Sequence, residues 1–351
     1  MRCSAWLIGI LALSPCASRA VAADAGAAVS FDGSRDMGSD LTDRLQLRLL
    51  AAIKGKPAPV PPSLGLAEAG KTWGNDVQIA KLLAGHPEPK TSFRFAVIGD
   101  AEPGRFPWQR VFAPTDGFRK LVERVQGMNA DFMLQLGDIV SKGVEGNYLK
   151  LVEFLNAEVR VPLMVAPGNH DRSQPNGDAD KRLFTELFRK LDCSFDYNGW
   201  RFIVLDSSDR RLTPEQLAWL SRQLLTDLPV LVFTHVPPGY LRGVLVSAFE
   251  EKSYNMSGFF DEGSADFRKL VEAAKVRRVY LGHIHALGTA EIDGVRYVLT
   301  GGGGSPLYPL PPGYPKARTT HFIGVEAGSW GLRETVFELD GKSHPLLGAG
   351  D

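Results

Sequence analysis

The feature that most constrains this chain is a strand-like run that stops at a glycine and a carboxylate. Residues 131–140 read DFMLQLGDIV, with β-favouring residues from Phe132 to Leu136, Gly137 for a tight turn and Asp138 at its tip. Other runs end the same way. Residues 93–98 lead into Gly99-Asp100, 163–166 into Gly168-Asn169-His170-Asp171, 230–233 into Thr234-His235, and 278–281 into Gly282-His283-Ile284-His285. Open α/β sheets keep their chemistry outside the carboxyl ends of their strands, so one edge should carry Asp100, Asp138, Asn169, His235, His283 and His285. A bridging carboxylate such as Asp138 would let that set hold two metal ions.

From residue 91 onward strands alternate with helical spacing. The strand at 93–98 precedes a helix at 116–125, the strand at 132–136 a helix at 148–157, and the strand at 163–166 a loop at 171–179 and a helix at 181–191. The grammar then changes. Segments 195–197 and 202–205 flank Asn198-Gly199, a type I′ turn, so antiparallel pairing enters. Thr213 reads as the N-cap of a helix at 214–225 with Pro214 in its first position. A loop at 237–263 is long enough to be functional. After it come a helix at 265–274, a hairpin of 288–292 and 295–299 around Asp293-Gly294, and strands at 322–326 and 333–339. Parallel βα units followed by hairpins predict an α/β protein, a two-sheet β-sandwich flanked by helices. No internal repeat of fixed period is present.

Composition narrows the function classes. The 40 Lys and Arg cancel the 40 Asp and Glu, so nothing favours nucleic acid or a membrane surface as partner. Met1-Arg2, an apolar run at 5–13 and Ala20-Val21-Ala22 read as a cleaved secretory signal over 1–22, since the run is too short to span a bilayer. No other window offers about 18 uninterrupted apolar residues, so the mature chain is expected to lack a transmembrane segment and to be periplasmic or secreted. A lipoprotein anchor at Cys16 fits less well because Pro15 precedes it. Cleavage would remove Cys3 and Cys16 and leave Cys193 without a disulfide partner, as a small buried hydrophobe. Residues 23–90 read as a leader with a helix at 41–53 and a Pro-rich linker at 54–63. The catalytic domain is expected at 91–340, with a tail at 341–351.

Taken singly, a Gly-Asp or a lone His is weak. Taken in order, Gly99-Asp100, Gly137-Asp138, Gly168-Asn169-His170-Asp171, His235 and Gly282-His283-Ile284-His285 resemble the calcineurin-like metallophosphoesterase superfamily. Its pattern is Asp-x-His, Gly-Asp, Gly-Asn-His-Asp/Glu, His and Gly-His-x-His. The resemblance spans about 93–337, and every block but the first matches. It implies a four-layer sandwich and two metal ions (Mn, Fe or Zn). Asp100, Asp138 and His285 would hold one, and Asp138, Asn169, His235 and His283 the other. It also implies His170 beside the leaving group, with Asp171 orienting it. The implied reaction is hydrolysis of a phosphomonoester or phosphodiester, in a small-molecule or macromolecular substrate, by in-line attack of a metal-bound hydroxide. The alternative is a degenerate member that binds metal or phosphate without turnover.

The chemistry fits those residue types. Phosphoester oxygens repel an anionic nucleophile, and two cations about 4 Å apart neutralise them while supplying hydroxide. Imidazole with carboxylate suits Zn, Fe and Mn better than Ca, which prefers oxygen alone. A general acid such as His170 contributes about 10²–10⁴ in rate. The first block departs from the pattern, having Asp100-Ala101-Glu102 where Asp-x-His is expected. Either Glu102 replaces the imidazole and makes that site harder, favouring Mn, Mg or Fe, or it points away and leaves a weak site. Gly301–Gly304 either lies close to the metals or is a flexible turn, and it lacks the Lys-Ser/Thr of a phosphate-binding loop. Arg105, Trp108, Arg110 and Arg172 are candidate phosphate clamps, and Tyr240, Tyr254, Tyr308 and Tyr314 either stack on substrate or cover the loops.

Overall fold

The structure, a computed structural model, describes residues 65–102, 116–177, 179–242, 244–245, 258–307 and 319–346. Two six-stranded sheets pack face to face. The first holds β1 (Ser92–Ile98), β2 (Phe132–Gln135), β3 (Leu163–Val165), β10 (His321–Gly328), β11 (Gly331–Glu338) and β12 (Ser343–Pro345), in the order β12-β11-β10-β1-β2-β3. The second holds β4 (Cys193–Tyr197), β5 (Trp200–Leu205), β6 (Val230–Thr234), β7 (Arg278–Leu281), β8 (Leu287–Ile292) and β9 (Val295–Thr300), in the order β4-β5-β6-β7-β9-β8. Strands β1 to β3 are parallel, as are β5, β6, β7 and β9. Both parallel sets aim their carboxyl ends at one rim.

The inner strands, such as β2 and β6, are buried on both faces because both faces are covered. In β1, Phe93, Phe95 and Val97 enter the core between the sheets, while Ala96 and Ile98 face helices. Phe95 stacks on Phe132 with ring centres 5.1 Å apart, and Phe202 of the opposite sheet meets Phe132 edge-on at 5.3 Å. Each such fully buried ring contributes about 1.5–3 kcal/mol relative to exposure. Helices α1 (Leu66–Trp73), α3 (Gly117–Gly127), α4 (Glu145–Glu158) and α5 (Arg182–Phe188) cover the first sheet. The second is covered by α6 (Pro214–Gln223) and α7 (Ser264–Ala273). The result is the helix–sheet–sheet–helix sandwich that the sequence predicts.

Local chemistry agrees with several predicted boundaries. Asn198 and Gly199 take φ of 46° and 78°, and Asp293 and Gly294 take 54° and 75°, as type I′ turns require. Thr213 accepts from the Gln216 N–H in a reciprocal capping box, with Pro214 at the first helical position. The predicted helix over 181–191 stops at Phe188, where Arg189 turns to φ 65°.

The expected boundary at residue 91 does not mark where packing begins. Helix α2 (Asn75–Gly85) lies along β3, the edge of the first sheet. Asn75 donates to the Val165 carbonyl at 2.9 Å and accepts from its N–H at 2.8 Å, and Gln78 accepts from the Leu163 N–H at 3.1 Å. These side chains satisfy edge groups that would otherwise be open. Residues 65–85 are thus part of the domain, and β12 pairs with β11 beyond residue 340, where a tail was expected. The predicted signal, the helix at 41–53 and the Pro-rich linker lie outside the described residues. Among the described residues no helix is long and apolar enough to cross a membrane.

Candidate metal centre

The rim is built from tight turns that only particular residues tolerate. Gly137 has φ 94°, and a Cβ there would stand 2.6 Å from the Gly168 nitrogen and 2.8 Å from His235 Nδ1. Asp138 and His283 are themselves left-handed, at φ 52° and 68°. Such backbone costs about 1–3 kcal/mol and persists only where neighbours over-determine it. They do so here. The Ala101 and Glu102 N–H groups both donate to the Asp138 carbonyl at 3.1 Å, and the His283 N–H donates to the Asp100 carboxylate at 2.9 and 3.1 Å.

Two groups of ligand atoms emerge, each with its atoms within 4.8 Å of one another. One is Asp138, His235 and His283; the other is Asp100, Asp138 and His285. All are buried, and Asp138 belongs to both. The first sheet contributes the carboxylates and the second the imidazoles. Asn169 joins the first group, its Oδ1 3.1 Å from His235 Nε2. That nitrogen also lies 3.2 Å from Asp138 Oδ2 and 3.2 Å from His283 Nδ1. His235 Nδ1 meanwhile donates to the Leu136 carbonyl at 2.7 Å, and His285 Nδ1 to the Pro306 carbonyl at 2.7 Å, which turns each Nε2 inward.

Acceptor atoms converging on one buried nitrogen are stable only around a positive charge, a proton or a metal ion. The electrostatics of the buried groups make the same demand. Burial alone would raise the Asp138 carboxyl, but the imidazoles of His235 and His170 outweigh it and hold it well below the usual carboxylate range. Burial opposes charge on His235 and His285, yet Asp138 beside the one and Asp100 beside the other push each up to about 9. Burial, with the charge of His235, keeps His283 well below its ordinary value. Mixed imidazole, carboxylate and amide donors of this kind fit a transition-metal pair.

Behind the ligands lies a supporting shell that reassigns one predicted role. Asp171 does not reach the His170 ring. Its Oδ2 accepts from the Asp138 and Gly168 N–H groups at 2.9 and 2.8 Å, and its Oδ1 from Ile139 and Val140 at 3.0 and 3.1 Å. Burial and the Asp138 charge push this carboxyl up to about 7, while the backbone donors pull the other way. Each oxygen already takes two N–H groups, which leaves no lone pair for a proton, so the turn is built on the carboxylate form. His170 is instead held by the Ser141 carbonyl, 3.0 Å from Nδ1, and by its own N–H on Asp138 Oδ1 at 2.8 Å.

Sequence reading missed Gln135, buried among apolar strand residues. Its Nε2 donates to the Gly137 and Gly99 carbonyls at 2.7 and 3.2 Å and its Oε1 accepts from the Gly137 N–H at 2.8 Å, tying the two aspartate turns together. A lone polar residue inside the apolar run FMLQL was the available signal. Gly301 and Gly303 prove to be close-packing positions, where a Cβ would meet the Ile284 carbonyl at 2.1 Å and the Gly99 carbonyl at 2.3 Å. Glu102 is buried and its charge acts on His285, but it falls outside both ligand groups. Arg172 is occupied by Asp209 and loop carbonyls rather than exposed as a clamp. Tyr240 packs on the second sheet, its hydroxyl 2.8 Å from that of Tyr297. Arg105, Trp108, Arg110, Tyr254, Tyr308 and Tyr314 lie outside the described residues.

Comparison with known proteins meets this geometry. The profile of the calcineurin-like phosphoesterases matches residues 93–287. A probable cyclic nucleotide phosphodiesterase of Fibrobacter succinogenes is 24% identical over 168 residues, 46% of this chain and 60% of that protein. A glycerophosphodiester phosphodiesterase of Enterobacter lignolyticus is 31% identical over 142 residues, 35% of this chain and 48% of that one. The chain thus spans about half the length of the curated relatives it matches. Among solved structures, a purple acid phosphatase from yellow lupin seeds superposes with a TM-score of 0.57 at 19% identity, covering 73% of this chain and 53% of that one. A dimetal phosphatase from Danio rerio gives 0.50 at 13%, covering 74% and 99%. With the profile matched over more than half its length and the ligand-bearing turns at one rim, this chain belongs to the calcineurin-like phosphoesterase family.

Proposed function

We propose that the chain is an exported hydrolase of phosphoester bonds that uses two metal ions and prefers phosphodiesters. The observation that carries this reading is the pair of buried ligand groups sharing Asp138. Asp100, Asp138 and His285 would hold one ion, and Asp138, Asn169, His235 and His283 the other. Bound there, Mn, Fe or Zn supplies Lewis acidity toward a phosphoryl oxygen and a hydroxide nucleophile at neutral pH. The chain's own residues do the rest. Asp138 stays ionised between the sites, and the Leu136 and Pro306 carbonyls fix His235 and His285 so that neither ring turns away. His170, half-buried and anchored through Nδ1 on Ser141, presents Nε2 as the nitrogen that hands a proton to the departing oxygen. The preference for diesters rests on the relatives, which are named as phosphodiesterases. Export rests on the N-terminal run and Ala20-Val21-Ala22.

The test is hydrolysis of bis-p-nitrophenyl phosphate and p-nitrophenyl phosphate by chelator-stripped protein reloaded with Mn, Fe or Zn, with metal content measured in parallel. About two ions per chain with faster diester turnover is the expected result. Turnover of neither ester under any ion would overturn the reading in favour of a binding protein, and a better monoester would overturn the diester preference. N-terminal sequencing of the exported product should begin at Ala23.

A further inference from the structure

Arg172 is among the largest fully buried side chains of the protein, a cation in a loop that carries three predicted site residues, Asn169, His170 and Asp171. Its Nη1 donates to Asp209 Oδ1 at 2.5 Å and to the Gly177 carbonyl at 3.0 Å. Nη2 donates to the Pro175 carbonyl at 2.9 Å, and Nε to the Asn169 carbonyl at 3.4 Å. Asp209 is held in turn by Lys181 at 2.8 Å, and Lys181 also pairs with Asp206 after β5. With those acceptors around it and almost no exposure, the guanidinium has no face for a substrate.

The Pro175 carbonyl has a second donor. Asn169 Nδ2 reaches it at 3.4 Å, which leaves Asn169 Oδ1 pointing at His235 Nε2. An amide has two nearly isosteric ends, and only the oxygen can bind a metal ion. We propose that Arg172 is a positioning residue for the ion held by His235 and His283. By clamping the Pro175 carbonyl and the Asn169 backbone together, it selects the amide orientation that offers Oδ1. Asp209 neutralises the buried cation and holds it from outside the loop. Among the described residues, the other ligand group, Asp100 and His285, meets this loop through the shared Asp138, which accepts from the His170 N–H. The inference rests on the two-metal reading above, and it predicts an effect confined to one site.

The test separates the sites. His285→Ala leaves the His235 site as the stronger one, and His235→Ala leaves the Asp100 site. Arg172→Lys, introduced into each background, keeps the charge opposite Asp209 but loses the planar fork that serves the carbonyls. Mn(II) is titrated into chelator-stripped protein and free ion is read by electron paramagnetic resonance. The expected result is about 10–100-fold weaker binding in the His285→Ala background, the usual cost of losing an outer hydrogen-bond partner of a ligand, with binding in the His235→Ala background unchanged. Equal loss in both backgrounds would make Arg172 a general structural residue and overturn the proposal, as would no loss in the first. If Arg172→Lys fails to fold, Asp209→Asn carries the same test with the same expected site selectivity. An unsubstituted chain that bound fewer than two Mn(II) ions would overturn the two-metal reading itself, and this inference with it.

Discussion

Replacing Asp171 with asparagine should cost stability before it costs chemistry. The carboxylate accepts four backbone N–H groups, two on each oxygen, from Asp138, Gly168, Ile139 and Val140. Asparagine keeps one oxygen and points an NH₂ at the other pair of donors, whichever way it is placed. Two hydrogen bonds to a charged group are lost in a site that is 1% exposed, where water cannot replace them. At about 1.5–3 kcal/mol each, the expected loss is about 3–6 kcal/mol, a large part of the 5–15 kcal/mol typical of a folded domain. Urea unfolding followed by circular dichroism, on chelator-stripped protein so that metal linkage does not contribute, measures it directly. The midpoint should fall with the slope unchanged. If the variant lost less than about 1 kcal/mol while its turnover fell by about 10²–10⁴, Asp171 would be acting on His170 as the sequence suggests, and the account of the turn would be refuted.

Asp138→Asn should remove activity and most bound metal from both sites, since one carboxylate serves both ligand groups, and elemental mass spectrometry that found one site still filled would refute the sharing. The pH dependence follows from His235 and His285, raised from 6.5 to about 9 in the metal-free chain. Because their folded values exceed the unfolded ones, their contribution to stability is complete below pH 6.5 and is lost as pH rises through about 9. Metal loading at pH 7 must therefore displace protons, visible as buffer-dependent heats in calorimetry, and affinity should rise toward pH 9; heats independent of buffer would refute the charged state of these rings. Trp73→Ala tests whether α1 belongs to the domain: the ring is buried and donates to Asn156 Oδ1 at 2.9 Å, so a loss of about 3–5 kcal/mol is expected, against nearly none for a residue in a detached leader.

The convergence of the candidate ligands was legible because each follows its strand within a residue or a short turn. Asp138, His235 and His283 need no tertiary information to be placed at strand ends, and the glycines that precede Asp138 and His283 announce turns. The hairpins at Asn198-Gly199 and Asp293-Gly294 were legible for the same reason, since a type I′ turn is specified by two adjacent residues. Residues 66–85 escaped because α2 is defined by what it covers. Asn75 and Gln78 look like ordinary polar helix residues until β3 lies beside them as a sheet edge.

The division follows the range of the interactions. The sequence by itself determined most of the strands, the turn residues and the order of the candidate ligands, because these depend on backbone sterics and neighbours a few positions apart. Only the tertiary structure decided that Asp171 serves four backbone groups instead of His170, that Arg172 faces Asp209 instead of substrate, and that Glu102 sits beside His285 but outside both ligand groups. Each of those assignments depends on which donors and acceptors meet across two sheets, in a buried space where an unpaired polar group is too costly to leave.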